Sequence, residues 1–135
     1  MGPQSPQQTI LVVEDTPIVR EPLARLLRTE GYEVLCAGNG VEALVALKGR
    51  PVDLVLLDVM MPKMHGVALV EGVRANERWK KLPMIALTGV MDSTLLARLR
   101  QLGVDTVVPK GRFTFDGLMS DIRRLLGPTA TAVPA

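Results

Sequence analysis

Cysteine is nearly missing from this chain of 135 residues, and the one present, Cys36, has no partner for an internal disulfide. That scarcity fits a reduced, cytoplasmic setting. Long apolar runs are missing as well. Although 47% of the residues are hydrophobic, no uninterrupted stretch approaches the roughly 20 residues that a membrane span needs. Residues 1–8 are polar, show no signal-peptide pattern and read as a flexible N-terminal tail. Nor is one sign of charge in excess: 16 basic against 14 acidic residues give +2, too even a balance to argue for nucleic acid. No segment repeats another closely enough for a solenoid. What is left is one domain, expected over residues 9–127, with a loose tail of small residues over 128–135.

The stretch that organises the rest is the apolar run 54–57, cut off by Asp58 and followed by Met60, Met61 and Pro62. Apolar on both faces and short, it reads as a central strand covered by helices on either side. Similar runs lie at 9–13, 33–37, 84–87 and 105–108. Between them are helical patterns. Val19, Leu23, Leu26 and Leu27 form a stripe after Thr16-Pro17, a plausible cap and first helical position. Pro22 interrupts that stripe, predicting either a kink or a start one turn later. A second helix is expected over 41–48. A third, over 66–76, offers Val67, Leu69, Val70 and Val73. A fourth, capped by Asp92 or Ser93, carries Leu95, Leu96, Leu99 and Leu102, and a fifth packs Leu118, Ile122 and Leu125. Five strands alternating with five helices make an α/β domain, a five-stranded parallel sheet with helices on both faces.

The chemistry-bearing residues stand where strands run out: Glu14 and Asp15 after the first, Asp58 after the third, Thr88 after the fourth, Lys110 after the fifth. Open α/β sheets place their sites at this edge. Three carboxylates drawn together repel by about 4 kcal/mol per close pair at an effective dielectric of 20. Lys110 offsets one charge, and the remainder call for a cation. Oxygen donors without histidine or thiol favour Mg2+. Such a pocket suits phosphoryl transfer onto Asp58, with Thr88 and Lys110 on the equatorial oxygens.

Taken in order, the acidic pair, Asp58-x-x-Met61-Pro62, Thr88-Gly89 and Lys110 resemble the receiver domain of bacterial two-component response regulators. The likeness covers residues 8–127. It implies a flavodoxin-like sheet of order 2-1-3-4-5 and phosphorylation of Asp58 by a histidine kinase or a histidine phosphotransfer protein. It further implies that Asp15, Asp58 and the Met60 carbonyl bind Mg2+, that Glu14 holds a metal-bound water, and that Thr88 and Lys110 contact the phosphoryl group. Such a domain is a signalling switch rather than an enzyme, assisting only its own phosphorylation and dephosphorylation. It would contact neither nucleic acid nor membrane directly.

Several positions depart from the family pattern. Lys110 is followed by Gly111 instead of proline, Val107 stands where an aromatic switch residue is usual, and His65 replaces the common aspartate of its turn. Met60 and Val90, at positions that tune hydrolysis, carry no group able to orient water, which implies a long-lived aspartyl phosphate. These departures keep a second reading open, a pseudo-receiver acting as a phosphorylation-independent interaction module. A dehalogenase-type phosphatase would need a second acid two residues after Asp58, where Met60 stands. A nucleotide-binding protein would need a glycine-rich turn where Glu14-Asp15-Thr16-Pro17 stands. Outside the site, Cys36 is expected to pack internally, Trp79 to be a partly exposed loop anchor, and Arg98, Arg100, Arg123 and Arg124 to be solvated.

Overall fold

Strands β1 (Thr9–Val13), β2 (Glu33–Ala37), β3 (Leu54–Asp58), β4 (Met84–Thr88) and β5 (Thr106–Pro109) form one parallel sheet of order β2-β1-β3-β4-β5. The structure is a computed structural model, and it describes residues 7–59, 66–89 and 92–127. Helices α1 (Pro17–Thr29), α2 (Gly40–Gly49), α3 (Gly66–Ala75) and α4 (Ser93–Gln101) connect the strands, and α5 (Phe115–Leu126) follows the last of them. This is the flavodoxin-like order that the family resemblance implies. Among the described residues, no helix is long and apolar enough to cross a membrane.

Every residue of β1, β3 and β4 is buried, and alternate residues feed opposite cores. Leu11, Val55, Leu57 and Ala86 pack with Leu47 of α2, Leu69 and Val73 of α3 and Leu99 of α4. Ile10, Leu54, Leu56 and Ile85 pack with Leu23 and Leu27 of α1 and with Leu118 and Ile122 of α5. Period-2 alternation between two apolar layers explains why these strands read as continuous hydrophobic runs.

Two aspartates fix the register at the strand starts. Asp53 accepts from the Thr9 amide at 2.7 Å while its own amide donates to the Thr9 carbonyl at 2.8 Å. Asp105 makes the same pair of bonds with Met84, both at 2.9 Å. Asp105 is therefore a clamp ahead of β5, which starts one residue later than the hydrophobic run suggests.

Helix ends follow local chemistry. Asn39 accepts from the Glu42 amide, Asp92 from Leu95 and Thr114 from Gly117, each a side-chain N-cap. Asp92, not Ser93, is thus the cap of α4. Thr16 sits at the N-cap of α1 without a side-chain cap bond. Its hydroxyl turns instead to Asp15. Gly31, Gly103 and Gly127 end α1, α4 and α5 at positive φ, where a Cβ would be strained.

Helix α1 runs unbroken from Pro17 through Pro22. Its buried face is Leu23, Ala24 and Leu27, whereas Val19 and Leu26 are 43% and 46% exposed. The expected stripe is thus only half right, because the helix is turned to present one apolar edge outward. Two other expectations fail. Cys36 is exposed rather than packed, because β2 is an edge strand with its outer flank uncovered. Trp79 is buried at 8% exposure in a 3-10 turn after α3, with the Arg78 guanidinium over its ring. Three of the arginines are paired: Arg98 with Glu71, Arg123 with Glu30, and Arg124 with Asp121 and the Thr106 hydroxyl.

Candidate functional site

Register brings the acids together. Val13 of β1 lies opposite Leu57 of β3, so Glu14 and Asp15, the next residues along, arrive beside Asp58. One carboxylate oxygen from each of Glu14, Asp15 and Asp58 falls within 4.8 Å of the others. Glu14 and Asp58 are both only 3% exposed, while Asp15 is half-buried. Behind Asp58 the chain must pass close: a Cβ on Gly66 would lie 2.5 Å from the Val59 Cα, and the Gly66 amide bonds the Val59 carbonyl at 3.0 Å. Glycine at the start of α3 is what allows that helix to seat against the strand end bearing Asp58.

Lys110 enters from the far side of β4. Its Nζ lies 2.8 Å from Asp58 Oδ2 and 3.9 Å from Glu14 Oε2. The Pro109-Lys110-Gly111 departure therefore leaves the ammonium on the acids, because Lys110 opens a 3-10 turn directly after β5. Thr88 closes β4, fully buried, one step beyond Leu87, the register partner of Asp58.

The electrostatics are those of a site short of positive charge. Burial first, then the neighbouring Asp58 charge, push the Glu14 carboxyl up to about 7, with the Thr16 amide and Lys110 pulling the other way. For Lys110, burial opposes the charged form, but the bond to Asp58 and the charges of Asp58, Glu14 and Asp15 outweigh it and raise the pKa. Among the described residues three carboxylates face one ammonium, which leaves a charge balance that suits a hard divalent cation. The donor set is all oxygen, so it fits Mg2+.

One residue that sequence reasoning set aside belongs here. Arg20, which stands outside the apolar stripe of α1, donates to the Glu14 carbonyl at 2.8 Å. Its place in the first turn after the acidic pair was the available signal. Met60, with the carbonyl expected to bind metal, lies outside the described residues, as do His65 and Val90. Val107 is half-buried against the core on the α2–α4 side.

Beside the acids, α1 and the segment after β5 enclose a cleft of about 330 Å³ lined by Val19, Pro22, Leu26, Phe113, Phe115 and Lys110. Its walls are apolar apart from the lysine that also bonds Asp58. Sequence periodicity placed Val19 and Leu26 in the core and so concealed this cleft.

Residues 10–123 match the family model described as the response regulator receiver domain. A probable chemotaxis protein CheY from Rhizobium etli is 33% identical over 119 residues, which cover 87% of this chain and 92% of that protein. Hybrid signal transduction histidine kinase D of Dictyostelium discoideum is 35% identical over 87% of this chain, yet the match spans only 7% of the kinase. The match spans about half the length of the transcriptional regulatory protein AruR and of the response regulators MtrA and MprA. Among solved structures, the response regulator TrrA from Thermotoga maritima, in complex with Mg2+ and BeF, superposes with a TM-score of 0.77 at 37% identity, covering 89% of this chain and all of that one. Sheet order, clustered acids and family match agree: the chain belongs to the response regulator receiver domain family, the receiver module of two-component signalling.

Proposed function

We propose that Asp58 accepts a phosphoryl group from a histidine kinase or a histidine phosphotransfer protein. The observation that carries this reading is the Lys110 ammonium 2.8 Å from an Asp58 carboxylate that is itself crowded by two acids. Glu14, Asp15 and Asp58 would hold Mg2+, together with the Met60 carbonyl. When bound, the metal offsets the negative charge that gathers on the phosphoryl oxygens.

The chain's own residues supply the rest. An ionised Asp58 oxygen attacks phosphorus as the P–N bond to the donor imidazole breaks, its electron pair leaving with the imidazole. Lys110, already on Asp58, moves onto a phosphoryl oxygen, and the Thr88 hydroxyl donates to another. In hydrolysis the same residues act while a water oxygen attacks phosphorus and the P–O bond to Asp58 breaks, its electron pair returning to the carboxylate. The water proton passes to the departing phosphate, and no other substrate is turned over.

The cleft between α1 and Phe113 supports a protein donor. It shares Lys110 with the site and exposes apolar side chains within reach of any protein delivering a phosphohistidine to Asp58. The working unit is residues 9–127 with tails on either side, acting in the cytoplasm and touching neither nucleic acid nor membrane. The downstream partner is a protein.

Incubation with acetyl phosphate and Mg2+ tests the reading by intact mass. One added phosphoryl group, absent in Asp58→Asn, is the expected result. No adduct from any donor would favour the pseudo-receiver, and repeated turnover of unrelated phosphoesters would favour an enzyme.

A further inference from the structure

We propose that Arg20 is a positioning residue for the acidic pair, holding the Glu14–Asp15 peptide so that both carboxylates face the metal position. The inference rests on reading the acid cluster as a Mg2+ site. The Arg20 Nη1 donates to the Glu14 carbonyl at 2.8 Å. That carbonyl belongs to the peptide unit joining the two acids, so its direction sets the direction in which the Asp15 side chain leaves the backbone.

The other contacts of this turn complete the frame. The Glu14 amide donates to the Ala37 carbonyl at 3.0 Å, and Glu14 Oε1 accepts from the Thr16 amide at 3.2 Å. The Thr16 hydroxyl reaches Asp15 Oδ1 at 3.4 Å but holds the side chain and not the backbone. Among the described residues it is Arg20 that holds the peptide plane between Glu14 and Asp15. The acids repel one another, and the turn that carries two of them would relax outward without this hold.

The guanidinium is itself seated. Its side chain is 17% exposed, with Glu21 at 3.8 Å. Nη1 lies over Gly38, 3.3 Å from where a Cβ would stand, and the Glu42 carboxylate lies 3.6 Å from the same point. Glu42 is in turn fixed by the Gly38 amide at 3.0 Å and the Asn39 side-chain amide at 3.1 Å. The missing side chain at Gly38 makes the space in which Arg20 reaches back to β1. A group behind the ligands that orients them governs metal affinity more than the chemical step.

The test uses the whole chain and Mg2+ alone as probe, by calorimetry and amide shifts, with thermal unfolding alongside. In Arg20→Ala the Mg2+ Kd is expected to rise about tenfold. The Mg2+ needed for half-maximal acetyl phosphate labelling rises equally, while the rate at saturating Mg2+ stays within about twofold of the parent. A role in stability alone would not produce that split. Gly38→Ala, which crowds Nη1 and removes no polar group, shifts Kd the same way by less. It decides the matter should Arg20→Ala fail to fold. Unchanged Mg2+ affinity in the variants, with normal binding by the parent, overturns the role of Arg20 alone. A parent that binds no Mg2+ overturns the metal-site reading and this inference with it.

Discussion

The Lys110 ammonium and the Asp58 carboxylate meet at 2.8 Å across an intervening strand, although 52 positions separate them in sequence. Lys110→Met removes the cation that lies on the acids among the described residues while keeping a long apolar stem. Labelling of Asp58 by acetyl phosphate should slow roughly 100-fold, the usual scale for losing one donor to a developing oxyanion. A mass-spectrometric time course checks it, and a rate equal to the parent's would remove Lys110 from the chemistry.

Glu14 makes metal-free stability depend on pH in an unusual sense. Its folded pKa of about 7 lies above its ordinary 4.5, so the folded state holds the extra proton between those values. Its contribution is complete below pH 4.5, declines as pH rises toward 7 and is gone above. The full span amounts to about 3 kcal/mol. Denaturant titrations in EDTA should show this loss. Mg2+ should reverse it and bind more tightly as pH climbs through neutrality.

Asp58→Asn removes the charge that, after burial, does most to raise Glu14. Without metal at about pH 8, the variant should be more stable than the parent by on the order of 1 kcal/mol, and its pH slope flatter. A lower melting temperature would show that the Lys110–Asp58 pair outweighs the repulsion.

Leu26 lines the apolar cleft at 46% exposure. Leu26→Asp should leave labelling by acetyl phosphate unchanged yet reduce transfer from a phosphorylated kinase or phosphotransfer protein by about tenfold or more. Equal transfer rates would take the cleft out of donor binding.

Pro22, inside α1, has no amide hydrogen for the Ile18 carbonyl. Pro22→Ala restores that bond and should raise stability by about 1–3 kcal/mol, measured by chemical denaturation. A loss instead would mean that the ring's cleft contacts exceed its cost to the helix.

The fold was open to reading because its signals are local. Runs such as 54–57 carry β-branched and leucine residues on both faces, and polar turns separate them from 3.6-residue periodicities, so strict alternation argues a parallel sheet, while its 2-1-3-4-5 order rests on the family resemblance. The acids were equally plain, since Glu14, Asp15 and Asp58 interrupt apolar runs at strand ends. Solvent exposure was less legible. Val19 and Leu26 satisfy a helical stripe, but which part of that stripe meets the sheet depends on how α1 is rotated about its axis. Cys36 looks internal until β2 is known to be an edge. Arg20 was hidden for another reason: its partner is a backbone carbonyl, and no side-chain pattern encodes one.

Trp79, the sole tryptophan of the chain, sits in the turn that leads into the first residue of β4, whereas the acids gather where β4 ends. A strand of five residues, about 16 Å long, lies between the turn bearing the indole and the edge bearing the acids. Quenching by a bound cation or by the phosphoryl group cannot reach it directly. Any change in its fluorescence on loading Asp58 would therefore report a rearrangement transmitted along the sheet, and a silent indole would confine the response to the acidic end.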